Sequence, residues 1–153
     1  MANYSEMSES YIDLVHTVLD ADQPYLSTVG IDFTYLCVDK QPSVIKITLS
    51  NPLLDFVTKK EPRVFIILYE EAFEQLSDEY QKLVISNALN SINFNSETGK
   101  ITIKSNGCGI DEGIYLKYRE KSVLALFAGE HSVKMLEEKR KEDKKNTKKN
   151  SSK

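Results

Sequence analysis

The chain has no tryptophan, two histidines and two cysteines among 153 residues. Cys37 and Cys108 lie far apart without a C-x-x-C pairing, so no disulfide framework is encoded and a reducing cytoplasm is the simpler setting. Long apolar runs are also missing: none approaches the roughly 20 residues needed to cross a bilayer, and no membrane attachment is expected. The opening "MANYSEMSESYIDL" has no basic stretch followed by an apolar block, so no secretory signal is expected. With only six glycines and four prolines, nothing points to a fibrous or low-complexity chain.

What is present suits one folded domain. Hydrophobic residues make up 41% of the chain, enough for a sizeable core at this length, and charged residues make up 28%. The charges are unevenly placed. Residues 1–133 hold 11 Lys/Arg against 19 Asp/Glu, a net of −8, whereas residues 134–153 hold 9 against 4, a net of +5. A single α+β domain over 1–136 and a basic, partly disordered tail over 137–153 are expected.

Periodicity supplies the elements. "SESYIDLVHTVLDADQP" sets Tyr11, Ile12, Val15, Val18 and Leu19 on one helical face, with Ser8 or Ser10 at its start and Pro24 beyond its end. "GIDFTYLCVD" alternates as a strand with Ile31, Phe33, Tyr35 and Cys37 on one side, and "SVIKITLS" reads as a second. The segment "NPLLDFVTKKEP" reads as a loop or short irregular element between strands. "RVFIILY" is apolar on both faces and should be the best-covered strand of the sheet.

A helix then starts at Ser77, whose hydroxyl can accept from the next turn's amides, with Leu83, Val84, Ala88 and Ile92 as its buried stripe. "INFNSETGKITIKS" reads as a hairpin turning at Gly99. The stretch from Ile110 onward reads as one long helix, with Val123, Leu124, Phe127, His131, Val133 and Leu136 near its inner face. The order α-β-β-β-α-β-β-α suggests helices packed on a small, largely antiparallel sheet.

Within the amphipathic helix "LSDEYQKLVISNALNSINF", Asn87 and Ser91 put polar groups one turn apart, close to the apolar stripe. Together with "IDFTYLCVD", the strand "RVFIILYEEAFEQLS" and "ETGKITI", this layout resembles the phage metallopeptidase family of small zincin-like proteins, over about Tyr11 to Leu136. The family carries H-E-x-x-H on this helix: two histidines on one face grip zinc, and the glutamate polarises its water. Here "NALNS" stands in that place. The resemblance makes Asn87 and Ser91 the ligand positions and Ala88 the base position, all three unsuited to the task. It puts a third ligand near Cys108 or Asp111. It therefore implies a zincin-like fold without cofactor, metal or peptidase activity. The plainer reading of Asn87 and Ser91 is that they face a hydrated groove or satisfy nearby backbone.

Elsewhere, His16 and His131 lie on different helices and read as satisfied helix residues. Glu70, Glu71, Glu74, Asp78 and Glu79 form an acidic strip that suits contact better than acid–base catalysis. Cys37 reads as core. Reactive chemistry at Cys108 is the weakest of the alternatives. The expectation is a non-catalytic phage protein that binds a host or virion protein, acting in the infected bacterial cytoplasm or the virion. Tyr69, Tyr115, Tyr118 and the acidic strip are its contact candidates. The alternative is an accessory protein tethered to nucleic acid by its tail, through Lys144, Lys145, Lys148 and Lys149.

Overall fold

A computed structural model of the chain describes residues 2–59, 63–104 and 112–151. In chain order its elements are β1 (Tyr4–Glu6), α1 (Glu9–Asp22), α2 (Pro24–Thr28), β2 (Asp32–Val38), β3 (Ile45–Leu49), α3 (Pro52–Thr58), β4 (Arg63–Tyr69) and α4 (Glu70–Phe73). There follow α5 (Asp78–Leu89), β5 (Ile92–Phe94), β6 (Ile101–Ile103), α6 (Glu112–Tyr118) and α7 (Glu120–Ser151). The architecture is α+β. One sheet runs β1-β2-β4-β3 and a second pairs β5 with β6. The pairs β1/β2 and β3/β4 are antiparallel, while β2 and β4 run parallel from Asp32↔Arg63 to Val38↔Tyr69.

The apolar run of β4 explains its place. With a side chain alternating to each face, only a central strand covered on both sides can bury such a sequence. Val64, Ile66 and Leu68 on one face are at most 1% exposed, and Ile67 and Tyr69 on the other are buried as well. Opposite the first set lie Leu49, Ile47 and Ile45 of β3 and Phe33, Tyr35 and Cys37 of β2. Val15, Val18 and Leu19 of α1 and Leu83, Ile85 and Leu89 of α5 are buried too.

Local signals set most boundaries. Pro24 ends α1 and occupies the first turn of α2, where its missing N–H costs nothing. The Ser77 hydroxyl accepts from the Tyr80 amide at 3.3 Å and starts α5, as its position suggests. The hairpin turns at Gly99, φ 69°, whose N–H donates to Asn95 O at 2.7 Å.

Four expectations are corrected. Residues 52–58 are helical: the Asn51 side chain accepts from the Leu53 N–H at 2.8 Å and Pro52 pre-sets the first turn. The stretch after residue 111 is two helices, because Arg119 takes φ 55° and its N–H closes on Tyr115 O at 2.7 Å. The α5 helix buries Leu83, Ile85, Ser86 and Leu89, while Val84 and Ala88 are half-buried and Ile92 belongs to β5. This helix is packed between α1 and α7, so its covered arc is wider than one stripe and is rotated from the predicted one.

The α7 helix is rotated as well. Ser122, Ala125, Gly129, Ser132, Val133 and Leu136 face inward, while Leu124, Phe127 and His131 are exposed. Small residues let the α7 backbone approach its neighbours, which a reading by side-chain size overlooks. A Cβ added at Gly129 would stand 3.1 Å from Val44 Cγ2. Beyond residue 137 the chain stays helical to Ser151. Its Lys/Glu composition favours helix, and Arg140 anchors it by donating to Asp39 O and pairing with Glu71 at 3.5 Å.

Candidate functional site

The three positions singled out on sequence, Asn87, Ala88 and Ser91, come together at one groove of about 350 Å³. That is the low end of the roughly 300–1,000 Å³ range of ligand clefts. One wall is Val44 and the start of β3, with Ile45 and Ile47; the other is α7, with Leu126, Gly129 and Glu130. The floor is the C-terminal half of α5, with Val84, Asn87 and Ala88, and Ser91 just after it. The groove exists because Gly129 brings α7 up to Val44 while α5 ends at Leu89 and turns away into β5.

Ser91 lies past the end of α5, in the turn, and its Oγ donates to Ala88 O at 2.6 Å. Its hydroxyl thus satisfies backbone at the helix end, and the i, i+4 geometry of a helical ligand pair is broken there. An amide, a methyl and an already bonded hydroxyl offer neither a soft donor nor a proton acceptor for zinc-assisted hydrolysis. Among the described residues no three His, Cys, Asp or Glu side chains gather as a metal-holding group. Cys108 and Asp111, the expected third ligands, lie outside the described residues.

One wall of the groove carries backbone chemistry. Among the described residues β3 is an edge strand, paired with β4 on one side. Tyr69 N–H donates to Val44 O at 2.7 Å and Ser50 N–H to Arg63 O at 2.8 Å. These two bonds fix the alternation: Val44, Lys46, Thr48 and Ser50 aim their backbone groups at β4, and Ile45, Ile47 and Leu49 aim theirs outward. Ser43 Oγ donates to Ile45 O at 3.1 Å, capping one outward carbonyl. Further along, the same edge faces Lys100–Ile103 across a more open cleft.

A polar knot behind α5 had no sequence signal. The Asp22 carboxylate, with a side chain only 7% exposed, accepts from Ser86 Oγ, from Tyr118 OH at 3.0 and 3.1 Å, and from Lys117 Nζ. Burial pushes this carboxyl upward, but donation from Lys117, Ser86 and Tyr118 outweighs it and holds the group below the ordinary carboxylate range. Its partners lie 64, 95 and 96 residues away, so only the fold brings them together. Ser86 is 1% exposed, too deep to attack a substrate, so the knot ties α1, α5 and α6.

The tyrosine candidates divide. Tyr69 is 1% exposed beneath the Arg140 guanidinium, 5.8 Å from its ring centre, which corrects its assignment as a contact residue. Tyr118 is half-buried with its hydroxyl committed to Asp22, so it too is structural. Tyr115 is exposed, next to exposed Leu116. Lys144, Lys145, Lys148 and Lys149 are exposed on α7.

In the acidic strip, Glu79 pairs with Lys121 at 2.7 Å, Glu71 with Arg140, and Glu74 accepts from Tyr11 OH at 3.4 Å. His16 Nε2 meets the Tyr35 hydroxyl at 3.1 Å. Cys37 is buried, and burial together with Glu70 and Glu74 pushes its thiol up to about 11, so it is unreactive at neutral pH.

The chain matches no family model, no curated protein and no solved structure with which it was compared. Among the described residues no helix is long and apolar enough to cross a membrane.

Proposed function

We propose that this chain is a non-catalytic binding module whose groove beside α5 takes an extended segment of a protein partner. The observation that carries the reading is the pairing of an outward-facing strand edge at Ile45 and Ile47 with an adjoining apolar groove. An added strand would gain backbone hydrogen bonds from β3, and its alternate side chains would enter between Ala88 and Leu126. Asn87 and Glu130 at the groove supply polar selection, with Glu130 favouring a basic side chain on the incoming segment. The likeness of "NALNS" to a zincin helix without its ligands supports binding over hydrolysis. In that setting the partner is a host or virion protein and the scaffold a metallopeptidase-like one from a phage.

The test is selection from a displayed library of random peptides on the intact protein, followed by the groove-filling variant Ala88→Phe. Support is enrichment of alternating apolar sequences whose binding falls at least tenfold in Ala88→Phe while the fold is retained. Failure to enrich any peptide, or equal binding by the variant, would overturn it.

A further inference from the structure

The C-terminal Lys run becomes a directional surface once it is helical. After Arg140, which is tied to Glu71, Asp39 and the Tyr69 ring, residues 141–151 extend α7. At 1.5 Å per residue that is about 16 Å of helix. Residues 141–149 are all exposed. At about 100° per residue, Lys141, Lys144, Lys145 and Lys148 fall within a sector of about 100°, and Asp143 and Asn146 fall on the far side. Residues 144–151 contain four lysines and no acid.

The geometry points to a site for the sugar-phosphate backbone of duplex nucleic acid, held without reading its sequence. Two features select this partner. No apolar residue occurs from 137 to 151, so the helix has nothing to insert into a membrane. The face presents lysine ammonium groups as point charges, with no aromatic and no Arg fork in that sector. Point charges of this kind neutralise a row of phosphates without a bidentate fit, and the face lacks the apolar anchors of a protein interface. The acidic body, net −8 through residue 133, does not prevent approach. At physiological salt its field is screened within about 8 Å, half the length of the projecting helix.

The test is fluorescence anisotropy of the full chain with a labelled DNA duplex at several salt concentrations. Four phosphate contacts predict a slope of log K against log salt of about −3.6, a loss of about 150-fold between about 50 and 200 mM. Scrambling the duplex sequence should leave affinity unchanged. The Lys145→Gln/Lys148→Gln double variant should halve the slope while the groove still binds its selected peptides.

Absence of duplex binding at about 50 mM salt, or binding indifferent to the double variant, overturns the proposal. So does equal binding to polyglutamate of matched charge, which would assign the face to acidic proteins. Tighter binding to vesicles of anionic lipid than to the duplex would assign it to a membrane surface and overturn it as well.

Discussion

Replacing Asp22 with alanine should be among the most damaging single changes available outside the apolar core. The carboxylate accepts from two hydroxyls, Ser86 and Tyr118, and from Lys117. Each hydroxyl bond to the ionised carboxylate is worth at least about 1.5 kcal/mol, because a charged acceptor strengthens it. Lys117 is 53% exposed, so its share is held to the roughly 0–1 kcal/mol of surface pairs.

The total is about 3 kcal/mol, dominated by Ser86, which is 1% exposed and has no water to turn to. For a domain of this size that lowers Tm by about 6–12 °C, read by far-UV circular dichroism. Asp22→Asn keeps an acceptor and should cost less than half as much. The folded-state pKa of Asp22 lies below its unfolded value of about 3.9. Its contribution is therefore complete above that value and is lost as pH falls through the folded pKa. The stability difference between wild type and Asp22→Ala should be flat from about pH 5 to 8 and shrink below about pH 4. A Tm change under about 2 °C at neutral pH would refute the assignment of this knot as the tie between α1, α5 and α6.

Other outcomes follow from the same geometry. Gly129→Leu should cost about 1–3 kcal/mol in chemical denaturation and disturb the groove, because the first added carbon already meets Val44 at 3.1 Å. Cys37, buried with its thiol raised to about 11, should resist thiol reagents at neutral pH and become labelled only on unfolding; rapid labelling of the native protein at this position would contradict its place in the core. Calorimetric titration with zinc should show no tight stoichiometric binding, and a one-to-one tight complex would overturn the non-catalytic reading of Asn87, Ala88 and Ser91.

How far the sequence could be read depended on what kind of signal each part used. Strands and caps with local causes were legible: the two-sided apolar run of β4 placed it at the centre of the sheet, and Ser77 and Gly99 marked a helix start and a hairpin turn. Asn51-Pro52 carried an equally local helix signal that was hidden by the expectation of a loop between strands. The inward faces of α5 and α7 are only partly legible: Leu83, Val133 and Leu136 are buried as their size suggests, but the small residues beside them carry no such mark. In α7 the covered surface is built from Ser122, Ala125, Gly129 and Ser132, whose smallness is what allows the contact.

At the site, the grouping of Asn87, Ala88 and Ser91 could be anticipated from spacing, but the contribution of β3 could not. An edge strand is defined by its neighbours in the sheet, and the order β1-β2-β4-β3 depends on pairings distant in sequence. The Asp22 knot was invisible for the same reason. Tyr69 misled because an aromatic at a strand end has no local mark that separates burial beneath Arg140 from exposure.

On the proposed function, a partner segment pairs with the outer edge of β3 beside the groove. Amide hydrogen exchange of the intact protein, with and without a selected peptide, tests it at residue level. Such pairing should add strong protection at Ile45 and Ile47, whose amides point outward, with little change at Lys46 and Thr48, already directed at β4. Protection appearing elsewhere while the Ile45 and Ile47 amides exchange at their free rates would contradict it.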